Sequence, residues 1–126
     1  MSSKTLGKVV VFSAVFLLIL ASSVWTQQSN WEGNWKGEEN SQNTLTINRV
    51  NGNQFRLTAG VLGTTGWIGW GQEFVSGDKK YLLSTFLYNS GTDAGFVTFM
   101  VIDTRKIKYT SYNHQGVKRL EGYYIK

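Results

Sequence analysis

The chain has 126 residues and a formal charge of +5, with 14 Gly, one His and neither Cys nor Pro. That is one domain's worth of chain, and 14% aromatic against 17% charged residues excludes intrinsic disorder. Without Cys there is no disulfide framework, thiolate nucleophile, zinc–thiolate or iron–sulfur site. One His cannot build a multi-His metal centre, so neither a metal nor a cofactor is expected.

Residues 1–8 carry Lys4 and Lys8, and residues 9–21 (VVVFSAVFLLILA) are uncharged and almost wholly apolar. A short basic region followed by ~7–15 apolar residues is the layout of a secretory signal peptide. Ala21 and Ser23 then occupy the −3 and −1 positions of a small-residue cleavage site. Read instead as residues 9–25, ending at Trp25, the run reaches the lower edge of the ~17–25 residues needed to cross a bilayer. Both readings stay open: residues 1–25 are a signal peptide or a membrane anchor. Either exports residues 26–126, as a secreted or periplasmic product or as a single-pass protein with its C-terminal domain outside the cytoplasm.

Past Ser29 the hydrophobic period becomes two, the mark of strands with one buried face. Residues 31–36 alternate Trp31, Gly33 and Trp35 with polar neighbours. Residues 44–50 put Leu45 and Ile47 on one face, and residues 54–59 do the same with Phe55, Leu57 and Ala59. Between these two runs, Asn51-Gly52-Asn53 predicts a hairpin with a type I′ turn. Residues 60–65 read as a Gly/Thr loop. In residues 66–74, Ile68, Trp70 and Phe74 share one face, and Trp67, Gly69 and Gly71 the other. Residues 80–88, 95–102, 107–112 and 117–125 complete eight predicted strands, each joined to the next by a short turn rich in Gly, Asn, Asp or Ser. No stretch has the length and period of a crossover helix, so sequence neighbours should pair antiparallel. The expected fold is all-β, an eight-stranded up-and-down barrel behind an N-terminal apolar helix. Closure removes exposed edges and leaves an interior wide enough for side chains or one small ligand.

Gly33-Asn34-Trp35, a polar loop, Leu45-Thr46-Ile47, a Gly-containing hairpin and the aromatic strand Gly66-Trp67-Ile68-Gly69-Trp70 resemble the opening of calycin barrels, both lipocalin-like and avidin-like. The resemblance implies a small β-barrel with Trp35 packed across its closed end. The biotin site of the avidin-like family does not carry over. Its Asn after the first-strand Trp falls on Gly37, its third-strand Tyr falls near Ala59, and no Trp follows Trp70, so biotin is not the expected ligand. Only Ser41 and Trp70 match the pattern.

Catalytic candidates are few. His114 sits in the turn Asn113-His114-Gln115-Gly116 with no partner the sequence can name, and reads as an exposed turn residue. Glu32, Glu38 and Glu39 flank the first strand and read as solvated charges rather than an acid/base pair. No enzyme is expected. Arg105, Lys106, Lys108, Lys118 and Arg119 fall on the last hairpin with Tyr109, Tyr112, Tyr123 and Tyr124 interleaved. This mimics a single-stranded nucleic-acid platform, but export argues against nucleic acid and toward an anionic lipid or cell-surface polymer. The plain alternative is a charged outer wall. Two function classes therefore stand: a barrel that takes a small apolar or aromatic ligand, or an interaction module that binds a protein or anionic surface through its outer face. For the first class, Trp70, Phe55, Phe86 and Phe99 are the expected ligand walls, with Trp70 foremost because the glycines of its strand leave room beside the ring. A cavity of ~300 Å³ or more, lined by aromatics and a few polar groups, would favour the first class over the second.

Overall fold

The computed structural model describes residues 31–62 and 64–126; the expected signal or anchor segment lies outside the described residues. Eight strands form one closed barrel in sequence order: β1 (Gly33–Gly37), β2 (Asn43–Asn51), β3 (Gln54–Val61), β4 (Thr64–Ser76), β5 (Lys79–Tyr88), β6 (Ala94–Asp103), β7 (Lys106–Asn113) and β8 (Lys118–Ile125). Every pair is antiparallel, and β8 returns to β1 through Lys36 opposite Ile125 and Gly37 opposite Tyr124. The up-and-down barrel follows from alternating strands joined by turns too short for any other pairing.

One parity of each strand fills the interior. Trp35, Leu45, Ile47, Phe55, Leu57, Leu82, Phe99 and Ile107 are fully or almost fully buried. They crowd the end that carries the β2–β3, β4–β5 and β6–β7 turns. Trp31 closes that end. Its indole N–H donates to a Glu73 carboxylate oxygen, and its carbonyl accepts the Trp35 indole N–H at 2.8 Å. The Lys126 ammonium lies 4.6 Å from the centre of the Trp35 ring. Trp35 thus sits in the closed end, as the barrel pattern predicts.

Two local expectations need correction. Residues 60–65 are mostly strand, because β3 runs to Val61 and β4 begins at Thr64, with a register shift between Ala59 and Gly60 taking up the bend. The β2–β3 turn is not type I′. Within the turn only Gly52 has a positive φ (53°), and no non-Gly residue among the described residues does, so Asn53 stays on the ordinary side. A positive φ at the first central residue alone is the type II′ pattern, which matches strand twist equally well.

Candidate functional site at the open end of the barrel

The opposite end, which carries the β1–β2, β3–β4, β5–β6 and β7–β8 connections, is not filled. A cavity of about 340 Å³ extends inward from it, lined by residues of β2 to β8. Its deeper part is aromatic, formed by Phe99, Tyr109 and Tyr124 with Trp67 and Phe86 as walls. Ala59 and Val97 add small apolar surface, while Asn43, Thr64, Tyr88, Ser111 and Arg119 supply polar groups. The rings pack on one another at angles. Tyr109 and Tyr124 have centroids 5.1 Å apart, Phe99 and Tyr124 6.4 Å, and Trp67 and Phe86 5.9 Å. Such tilted pairs add to area burial and hold the walls in place.

Glycine on the inner face makes these ring positions attainable. Gly122 lies opposite Tyr109, and a β-carbon there would come within 2.9 Å of the Tyr109 ring. The ring folds across the bare backbone of β8 instead of projecting down the barrel axis.

The two deep phenols are held in their neutral form. Burial, aided by the nearby Tyr109 and Tyr88 hydroxyls, pushes Tyr124 up to about 12. Burial, with the Glu39 carboxylate adding to it, also raises Tyr109. Neither phenol has a hydrogen-bond partner among the described residues, and neither hydroxyl is sealed from the cavity or solvent. At the rim, Arg119 is committed to Asp93, whose carboxylate raises the guanidinium further. The cavity therefore offers flat apolar surface, free phenolic donors in its depth, and a rim cation already neutralised. Among the described residues no cluster of three metal-ligating side chains exists.

The four expected wall residues are separated. Phe86 and Phe99 line the cavity. Phe55 has no exposed surface and belongs to the packed closed end. The expected inward placement of Trp70 is corrected: the residue is 58% exposed on the outer face, and Trp67 of the other parity faces inward. The reason lies in the neighbours. Leu57 and Leu82 reach over the inner face of β4, where a β-carbon on Gly71 would come within 3.1 Å of either side chain. Bare backbone is needed on that side, which sends Trp70 out. Tyr109 and Tyr124 were legible in principle. Lys106 and Lys108 alternate with Ile107 and Tyr109, so period two sends the lysines to solvent and the tyrosine inward.

The five basic residues do not form one free patch. Arg105 lies at the closed end, where its guanidinium donates to the Lys126 carbonyl, and Arg119 lies at the open rim. Lys106 pairs with Glu38 at 3.0 Å, and Lys118 with Glu121 at 2.9 Å, with Lys108 4.0 Å from the same carboxylate. Four of the five cations lie beside carboxylates, Lys108 and Lys118 sharing Glu121, so most of their charge is offset locally. Such exposed, solvent-screened pairs contribute little to stability. His114 is exposed in the β7–β8 turn. Comparison with protein-family models, curated proteins and solved structures gives no match to this chain.

Proposed function

We propose that the chain is an exported, non-enzymatic binding protein of the calycin type, taking a small flat apolar or aromatic molecule that carries a hydrogen-bond acceptor. The observation that carries this reading is the 340 Å³ cavity at the open end, walled by Trp67, Phe86, Phe99, Tyr109 and Tyr124. Pockets of this size, mostly apolar with a few convergent polar groups, are the usual form of small-molecule sites. The neutral phenols add selectivity. A ligand that fills the depth of the cavity without an acceptor leaves the hydroxyls of Tyr109 and Tyr124 unpaired and cut off from water, which costs ~1–3 kcal/mol per group. A carboxylate-bearing ligand is disfavoured for the opposite reason, since among the described residues the cation lining the cavity, Arg119, is already paired with Asp93 and does not offset its desolvation. Export rests on residues 1–25 alone, through the basic start and apolar run.

Titration calorimetry of residues 26–126 with two probes of nearly equal shape tests this reading. 2-Acetylnaphthalene has a carbonyl acceptor; 2-ethylnaphthalene does not. The ketone should bind at least tenfold more tightly, and Tyr124→Phe should remove most of that advantage while leaving 2-ethylnaphthalene binding unchanged. Binding of neither probe would contradict a ligand site in the cavity. Equal binding of both would contradict the acceptor requirement alone. The second reading, an interaction module, draws on the outer face of β4–β6 rather than on the basic residues.

A further inference from the structure

The outward parity of β4, β5 and β6 forms a wall whose middle has no charge. Ile68 and Leu87 face each other across β4 and β5, and Trp70, whose backbone N–H donates to the Thr85 hydroxyl, is exposed on the same face. Phe96 lies opposite Thr85 on β6, and Phe74 and Leu83 extend the surface toward the closed end. These six large apolar residues are between 37% and 58% exposed. Together they present on the order of 600 Å² of apolar surface, at the upper limit of what a lone soluble domain carries in one patch. The contrast with β7 is sharp, because its outer face carries Lys106 and Lys108, both beside carboxylates.

We infer that this wall is the contact between two copies of this chain, related by a two-fold axis close to the middle strand β5. An isologous contact sets each residue against the same patch on the other copy, so an uncharged wall meets no like-charge repulsion. The area suffices: two such walls would bury about 1200 Å² from these side chains alone, within the range of specific interfaces. Sheets packed face to face about 10 Å apart interdigitate side chains of this size. A bilayer is the weaker occupant, since a lipid-facing strand is apolar at every outward position, and Gln72, Thr85 and Thr98 occupy the centre of this wall. The inference does not depend on what the cavity holds.

The natural chain has no Cys, so a single introduced thiol reports on one position. In the full chain, Gln72→Cys, Leu83→Cys, Thr85→Cys and Thr98→Cys are made one at a time, with Asn48→Cys on the outer face of β2 as control. After mild copper–phenanthroline oxidation, non-reducing electrophoresis should show at least one wall variant mostly as a two-chain species and the control as one chain. Adding Trp70→Lys, or Phe96→Lys in a second background, should lower the cross-linked fraction at least fivefold. The inference is overturned if no wall position cross-links, if Asn48→Cys cross-links as well, or if both lysine variants leave the fraction unchanged.

Discussion

Tyr124 combines a structural position with a chemical one. Its ring packs on Phe99 and Tyr109, and burial raises its hydroxyl from the ordinary 10.0 to about 12. The folded chain therefore keeps this proton at pH values where the unfolded chain has lost it. Between about pH 10 and 12 the folded state binds more protons, so rising pH favours unfolding. The contribution is intact below pH 10 and is lost as pH climbs through 12, by about 2–3 kcal/mol at most. Tyr109 is raised in the same direction and adds to the trend. Denaturant unfolding at pH 9 and pH 12 should show a smaller alkaline loss in Tyr124→Phe than in the natural chain. Equal losses would mean that the phenol is not held neutral by its surroundings. At the same scale, Trp70→Ala should leave 2-acetylnaphthalene affinity within a factor of two, whereas Trp67→Ala should lower it by more than fivefold in the same calorimetry.

The strands differ in how their inner faces are built. β1 brings Trp35, a large buried ring whose N–H is satisfied by Trp31, so Trp35→Ala should cost ~3–5 kcal/mol in chemical denaturation. β8 brings Gly122 beneath the Tyr109 ring. Gly122→Ala should therefore push that ring into the cavity, destabilising the barrel by ~1–3 kcal/mol and weakening 2-acetylnaphthalene binding, as denaturation and calorimetry together can show. Strands and hairpin order were legible because alternation such as Leu45-Thr46-Ile47 and turns such as Ser76-Gly77-Asp78 are local signals. The inward face of β4 was not, because both parities carry a tryptophan and the deciding contacts come from Leu57 and Leu82 on neighbouring strands. The type of the β2–β3 turn was missed for a similar reason. Asn-Gly permits type I′, but a register shift between Arg49 and Asn51 moves the loop by one residue and leaves Gly52 as its first central position. Of the site itself, Phe86 and Phe99 were readable as inward aromatics, while the polar lining is drawn from β2, β4, β5, β7 and β8 and comes together only when the whole barrel closes.

As a whole, the barrel divides along its axis into a packed half and an open half. Trp31, Trp35, Phe55 and Ile107 fill the former, and the cavity occupies the latter. Its outer surface divides as well, into a wall of charged residues in ion pairs on β7 and β8 and a largely apolar wall, without charge in its middle, on β4 to β6. These two divisions suit the proposed reading, a ligand site at one end and a contact between copies on one side, carried by separate residues. The most direct test of the ligand site is chemical-shift mapping of isotope-labelled residues 26–126 during titration with 2-acetylnaphthalene. The account predicts saturable shifts at Ala59, Val97, Phe99 and Tyr124, with Phe55 and the outward Leu83 unmoved. Shifts confined to Ile68, Leu83 and Leu87, or no saturable shift at all, would contradict it.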